Sequence, residues 1–136
     1  MPMIRSVVID CFPASVARYV DDHAIVAVDG IRATTMAVTA VAAGRRCLVA
    51  ADVPDAFAIR DRIIGNAVLA GELAGDMPPG FDMNNSPAEL ARLGDVQRPL
   101  VMLSSSGTQL MLEASRSVHG AFITWPPRTS SRCPSS

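Results

Sequence analysis

The chain has 136 residues and a formal net charge of −1, and 49% of its residues are hydrophobic. This length suits one domain, the apolar share excludes general disorder, and a near-neutral charge without a basic run excludes binding through the nucleic-acid backbone. Lysine is absent, which excludes a P-loop lysine, a Schiff-base lysine and a lysine general base.

Strands and helices alternate along the sequence. We predict strands at 6–10 and 24–28, a helix at 33–43, a strand at 46–51 and a helix at 54–65. A strand at 68–72 is followed by a helix at 87–93, which Ser86 caps, Pro87 opens and Gly94 ends. A strand at 99–103, a helix at 108–118 and a strand at 121–123 follow.

This alternation predicts an α/β fold with a mostly parallel sheet flanked by helices in three layers. We expect residues 1–123 to form this domain. Residues 124–136 are rich in proline, serine and threonine, a composition that predicts a disordered tail. Another helix should come at this position, so we expect the fold to be incomplete at the C-terminus.

The cysteines, Cys11, Cys47 and Cys133, form neither a C-x-x-C pair nor a metal-finger spacing, so we expect a reduced, cytoplasmic setting. No apolar run approaches the roughly 18 residues of a membrane span. The N-terminus also lacks the apolar stretch of a signal peptide. We therefore expect contact with neither a membrane nor nucleic acid.

The segment D-G-I-R-A-T-T at 29–35 joins a predicted strand to a predicted helix. Open α/β sheets bind ligands at such strand ends, and a helix N-terminus favours an anion. Asp29, Arg32, Thr34 and Thr35 are therefore candidate site residues. The alternatives are a capping role for Asp29, a structural ion pair for Arg32, and packing for the threonines.

Polar residues also follow two further predicted strands. Glu72 leads into the loop P-P-G-F-D-M-N-N-S-P at 78–87, and S-S-S-G-T at 104–108 opens a helix. Hydroxyls and amides at these positions offer anion sites, and carboxylates can hold Mg²⁺ through oxygen. Turn and cap chemistry is the alternative for Asn84, Asn85 and Ser86. A nucleophilic serine is disfavoured because no G-x-S-x-G motif occurs.

These segments, together with A-G-E at 70–72, resemble the Mg²⁺-dependent 2-phosphosulfolactate phosphatase family over roughly residues 5–123. The resemblance implies hydrolysis of the phosphate ester of a small anionic hydroxy acid, a step toward coenzyme M where that pathway exists. Asp29, Arg32 and Glu72 would then be catalytic, with Mg²⁺ held by Asp29, Glu72 and Asp82. The substrate would be bound by Thr34, Thr35, Asn85, Ser86, Ser105, Gly107 and Thr108.

Two departures from the family pattern are the glycine at Gly30 and the serine at Ser106. Family members also continue well past Ile123, so we expect a truncated or frame-shifted member. The alternative function is a non-catalytic remnant that at most binds small anions. An incomplete sheet would expose an unpaired strand edge, which predicts self-association into a homo-oligomer.

Overall fold

The structure, a computed structural model, describes residues 6–28 and 32–124. Strands and helices alternate as predicted. The elements are a 3-10 helix at Pro13–Arg18, β1 (Ile25–Val28), α1 (Ala33–Ala42), β2 (Cys47–Val49), α2 (Val53–Asp61), β3 (Val68–Gly71), α3 (Pro87–Arg92), β4 (Leu100–Leu103), α4 (Gly107–Ala114) and β5 (Ala121–Thr124).

Every strand pairing between these elements is parallel, which confirms the predicted α/β class. The strands form two sheets: a three-stranded sheet in the order β2-β4-β3, and a two-stranded sheet of β1 and β5. In the larger sheet, Val101 of β4 lies opposite both Leu48 of β2 and Leu69 of β3. The carboxyl ends of β3 and β4 therefore meet at the same edge.

The sheet β2-β4-β3 is covered by helices on both faces, because its side chains alternate between two apolar clusters. Val68, Leu100 and Met102 point to a cluster completed by α1, α3 and α4. Leu69, Val101 and Leu103 point to the other, which α2 completes. Burial on both faces explains why these strands are continuous apolar runs rather than alternating polar and apolar. The three-layer prediction is confirmed for this sheet.

Local capping sets several helix boundaries. Ser86 caps α3 by accepting a hydrogen bond from the Glu89 amide at 3.3 Å, as predicted. Asp52 caps α2 in the same way, accepting from the Asp55 amide at 2.8 Å. This cap starts α2 at Val53, and the helix ends at Asp61 rather than at the predicted residue 65.

The predicted strand at 6–10 is wrong. Residues 6–12 have no strand partner among the described residues, and Val7 and Ile9 are 91% and 95% exposed. A strand is defined by its hydrogen-bonded neighbour, so an apolar run without one stays irregular.

At the other end of the chain, β5 includes Thr124, one residue more than predicted. The remainder of the predicted tail, 125–136, lies outside the described residues. None of the helices in the described ranges is long and apolar enough to cross a membrane.

Candidate functional site

Glu72 follows the last residue of β3, and a tight turn folds back over its side chain. Leu73 and Asp76 exchange backbone hydrogen bonds of 2.9 and 3.1 Å across this turn. Ala74 and Gly75 between them both have positive φ, at 52° and 94°, the pattern of a type I′ turn. The turn aims the Gly75 amide at Glu72 Oε2, to which it donates at 2.9 Å.

Ser105, which follows β4, binds the same carboxylate through both of its oxygens. Its amide donates to Glu72 Oε1 at 2.9 Å, and its hydroxyl donates to Oε2 at 3.1 Å. The hydroxyl oxygen in turn accepts from the Ala74 amide at 2.7 Å. The ends of β3 and β4 are thus connected by one carboxylate and one serine.

These contacts decide the charge of Glu72. Partial burial raises the pKa of its carboxyl, but hydrogen bonds from the Ser105 amide, the Gly75 amide and the hydroxyls of Ser105 and Ser104 outweigh that effect and lower the pKa overall. Hydrogen bonds to the charged form stabilise that form. Glu72 is therefore an anion at neutral pH, held in place by these donors.

The loop from Ser104 to Thr108 is closed by its own hydrogen bonds. Thr108 Oγ1 accepts from the Ser104 amide at 3.1 Å and donates to the Ser104 carbonyl at 2.8 Å. Ser104 Oγ accepts from the Gly107 amide at 3.1 Å. The amide and hydroxyl of Ser105, the amide of Gly107 and the hydroxyl of Thr108, all on residues predicted as anion contacts, are therefore engaged in shaping this loop and in holding Glu72.

Asn85 lies at the end of β4. The segment before it touches β3, where Met83 makes an isolated parallel bridge with Ala70. Asn85 Nδ2 donates to the carbonyl of Leu103 at 2.9 Å. The backbone amide of Glu72 donates to that same carbonyl at 3.1 Å. Asn85 and Glu72 are thus brought together at the end of β4.

The structure does not bring Asp82 or Ser86 to this group. Asp82 Oδ2 accepts from the amide of Leu69 at 2.8 Å. Leu69 precedes Glu72 by three residues, roughly 10 Å along a strand. The Ser86 hydroxyl caps α3. Each side chain has a structural partner that accounts for its position.

The start of α1 carries Arg32, Thr34 and Thr35. Arg32 is exposed and has φ 80° and ψ −53°, a strained conformation for a residue with a Cβ. Thr34 is buried, and Thr35 Oγ1 is buried with no hydrogen-bond partner in the described part of the chain. Asp29, the remaining catalytic candidate, lies outside the described residues, as do Gly30 and Ile31.

The oxygen atoms at this edge of the sheet have the chemistry that Mg²⁺ requires. The described residues contain no cluster of three or more histidine, cysteine, aspartate or glutamate side chains that could hold a metal. Mg²⁺, however, is usually held by one or two carboxylates and keeps several waters and substrate oxygens. Glu72 supplies a carboxylate, and Asn85 Oδ1 is a buried acceptor without a donor among the residues that the structure describes. This donor set fits the ion.

Sequence reasoning missed the role of the turn after Glu72. Gly75 and Ala74 hold the carboxylate and its serine partner through backbone amides. Their side chains carry no chemistry, and alanine is unusual at positive φ. The sequence therefore offers no clear signal for this contact.

Comparison with known proteins identifies the chain's relatives. Residues 7–123 match the family model described as 2-phosphosulpholactate phosphatase. A probable 2-phosphosulfolactate phosphatase of Carboxydothermus hydrogenoformans is 37% identical over 95 residues, which are 69% of this chain and 39% of that protein. The Thermus thermophilus protein of the same name is 36% identical over 109 residues, 79% of this chain and 44% of the relative.

A third relative, from Deinococcus radiodurans and with the same name, is 37% identical over 101 residues, 74% of this chain and 40% of the relative. The chain therefore spans about two fifths of the length of these curated relatives. Because the family match covers most of the chain, including the ends of β3 and β4 where Glu72 and Ser105 meet, this protein belongs to the 2-phosphosulfolactate phosphatase family.

Proposed function

We propose that the chain is a Mg²⁺-dependent phosphatase that hydrolyses the phosphate ester of 2-phosphosulfolactate or a similar small anionic hydroxy acid. One observation supports this most strongly: Glu72 is an anion held through both carboxylate oxygens at the edge where β3 and β4 end. Ligands of open α/β sheets bind at such edges. The names of the relatives supply the substrate class.

Glu72, Arg32 and the start of α1 have distinct roles in this proposal. Glu72 and Asn85 would hold Mg²⁺, with Asp29 as a further ligand; the bound ion would polarise the phosphoryl group and lower the pKa of water. Arg32 would bind phosphoryl or sulfonate oxygens through its planar guanidinium. The positive end of the α1 dipole adds favourable potential for an anionic substrate.

The reaction needs one water molecule and no other co-reactant. The water oxygen forms a bond to phosphorus, the ester P–O bond breaks, and the alcohol oxygen leaves with a proton. Charge builds up on the phosphoryl oxygens, so positioning and electrostatic stabilisation supply most of the catalysis. Arg32 and the start of α1 would provide that stabilisation.

The test is phosphate release from 2-phosphosulfolactate and from a panel of small phosphomonoesters, with and without a chelator. We expect phosphate release to stop when the chelator is added. We also expect the Glu72→Gln variant to release no phosphate. The matched control is Glu113→Gln, because Glu113 makes a surface ion pair with Arg116 at 2.9 Å. Substrate binding by calorimetry without phosphate release would contradict the proposed activity and favour an anion-binding remnant.

The surroundings of the reaction are part of the same proposal. We place the protein in the cytoplasm, on a step toward coenzyme M in organisms that have that pathway.

Self-association is also proposed, since Val26 and Val28 of the two-stranded sheet are 57% and 58% exposed. Sedimentation at several protein concentrations measures it, and a monomer at all of them would contradict it.

A further inference from the structure

A cavity lies where β3 and β4 begin, at the end of these strands that is opposite to Glu72. Its volume is about 240 Å³. Its lining residues are Val68, Asp82, Met83, Glu89, Leu93 and Arg98. Val68 is the first residue of β3, and Arg98 lies just before β4. Sites for drug-sized ligands have volumes of roughly 300–1,000 Å³, so this cavity admits only a small molecule.

Arg98 has a side-chain donor that the described residues leave without an acceptor. Its Nη2 donates to the Ala67 carbonyl at 3.1 Å. Its Nε is buried and has no hydrogen-bond partner in the described part of the chain. A guanidinium only donates hydrogen bonds, and a buried N–H group without an acceptor is costly. Such a group in a folded protein indicates a bound water, an ion or a functional site.

Two carboxylates line the same cavity, yet neither pairs with Arg98. Asp82 uses its Oδ2 to accept the Leu69 amide at 2.8 Å. Glu89 lies in the first turn of α3. Within the described ranges, no ion pair joins Arg98 to either carboxylate. Opposite charges that line one cavity without touching leave space between them for a molecule that contacts both.

The wall of the cavity that contains Leu93 and Arg98 is held by a second guanidinium. Arg45 is 3% exposed and donates to the carbonyls of both residues, at 3.1 Å to Leu93. Arg45 makes no ion pair with a carboxylate among the described residues either. This wall is therefore fixed in shape and positively charged before any ligand binds.

The lining of the cavity selects its ligand by charge. The buried Nε–H of Arg98 needs an acceptor, and a carboxylate makes the strongest bond to a guanidinium. The carboxylates of Asp82 and Glu89 only accept, so they favour an ammonium group. The remaining lining side chains are apolar. A molecule that carries both charges and a short aliphatic side chain complements all three parts.

We propose that this cavity binds a small aliphatic α-amino acid as its zwitterion, with the carboxylate on Arg98 and the ammonium group between Asp82 and Glu89. β3 and β4 run from this cavity to the edge that contains Glu72 and Ser105. A bound amino acid would thus contact the same strands without occupying the proposed catalytic site. The inference does not depend on the proposed function.

The first experiment compares three ligands of similar size on the full wild-type chain: L-alanine, propionate, which lacks the ammonium group, and ethylamine, which lacks the carboxylate. Binding is followed by the NMR shifts of backbone amides. We expect alanine to bind in the millimolar range and each analogue about tenfold more weakly, because each leaves one side of the cavity unpaired. The amides of Val68 and Leu93 should shift, and the amide of Ser105 should not.

Two substitutions test the two ends of the ligand separately. Arg98→Gln should weaken alanine binding about tenfold or more and remove the preference for alanine over ethylamine. Glu89→Gln should instead reduce the preference for alanine over propionate. A loss of structure alone would not change these two preferences in opposite ways. The matched control is Arg92→Gln, since Arg92 is exposed in the last turn of α3, and we expect a change of less than about twofold.

The comparison on the wild-type chain decides the inference even if a variant fails to fold. Propionate binding as tight as alanine binding would indicate a simple anion site and overturn the zwitterion assignment. Shifts confined to the surroundings of Ser105 would overturn the location. No shift with any of the three ligands at tens of millimolar would show that only water fills the cavity. Each of these results leaves the phosphatase proposal standing, because that proposal is tested by phosphate release.

Discussion

Ser105 donates two hydrogen bonds to Glu72, one to each carboxylate oxygen, at 2.9 and 3.1 Å. The two residues are 33 positions apart in the chain, and they meet because β3 and β4 are parallel neighbours that end at one edge. The contact keeps the carboxylate in a single orientation. A carboxylate that must bind a cation benefits from such a partner, because its geometry is set before the ion arrives.

Removing the Ser105 hydroxyl should weaken cation binding without removing the carboxylate. Ser105→Ala loses the contact with Glu72 Oε2 and the contact with the Ala74 amide, but keeps the Ser105 backbone contact with Oε1. We expect about tenfold weaker Mg²⁺ activation of phosphate release. Ser105→Thr, which retains a hydroxyl, should recover most of this loss. The measurement is the Mg²⁺ concentration for half-maximal activity.

Ser106→Ala is the control for that variant. Ser106 is the exposed neighbour at the N-cap of α4, and its side chain makes no capping hydrogen bond. We expect its Mg²⁺ dependence to match the wild type. Equal losses in the Ser105 and Ser106 alanine variants would show that the hydroxyl of Ser105 does not position Glu72.

Gly71 at the end of β3 should not tolerate a side chain. A Cβ there would lie 2.7 Å from Phe81 Cε2 and 2.9 Å from the carbonyl oxygen of Leu103, and the backbone cannot move aside as a side chain can. We expect Gly71→Ala to lower the free energy of unfolding by about 1–3 kcal/mol. Gly94→Ala is the matched control, since a Cβ there meets no atom within 4 Å. Urea denaturation of both variants measures the difference, and equal stabilities would contradict the close packing at Gly71.

How far the sequence predicts this molecule depends on whether each feature is local. Apolar runs and capping residues such as Ser86 are local, and they predicted the alternating elements within a few residues. Pairing partners are not local: the apolar run at 6–10 has a strand composition but no neighbouring strand, and β1 and β5 form a separate sheet.

The same distinction applies to the candidate site. The hydroxyls at 104–108 were recognised as chemically important, but their partners could not be read from the sequence. Ser105 binds the protein's own Glu72 carboxylate, and Thr108 closes its own loop. The family resemblance implied that Asp82 is a metal ligand together with Glu72. In the fold, its carboxylate binds the amide of Leu69 near the start of β3.

The two described cysteines should differ in reactivity. Burial raises the pKa of the Cys47 thiol to about 11, and this thiol donates to Met102 Sδ at 3.5 Å, whereas Cys11 is exposed. The thiolate is the reactive form, so at pH 8 Cys47 stays protonated and inert. Iodoacetamide should modify Cys11 in the native protein well before Cys47, as peptide mass spectrometry would show. Faster reaction at Cys47 would contradict its burial.

The raised pKa of Cys47 also predicts how stability depends on pH. The folded chain holds this proton more tightly than the unfolded chain, whose thiol has its ordinary pKa of 9.0. The contribution of the Cys47 thiol to the free energy of unfolding is therefore present in full below pH 9. It is lost as the pH rises from 9 toward about 11. Cys47→Ala should remove this part of the alkaline destabilisation. Denaturant unfolding between pH 8 and pH 10.5 measures it, and an unchanged slope in the variant would contradict the assignment.

Arg32 combines backbone strain with a proposed role in binding, and two substitutions separate these effects. At φ 80° and ψ −53° a residue with a Cβ is strained, and glycine is not. Arg32→Gly should relieve about 1–3 kcal/mol of strain, which exceeds the roughly 0.5–1 kcal/mol entropic cost of glycine. Arg32→Ala keeps the strain. We therefore expect the glycine variant to unfold at higher denaturant concentration than the alanine variant.

Both Arg32 variants lack the guanidinium, so both should raise KM for the phosphate ester about tenfold or more. A strained residue at a ligand-binding edge is explained if the conformation aims its side chain at the ligand, since stability is then given up for binding. That explanation requires stability and KM to move independently: the two variants share the KM defect and differ in stability. If alanine proves the more stable, or if KM is unchanged in both, the strain at Arg32 has no connection with substrate binding.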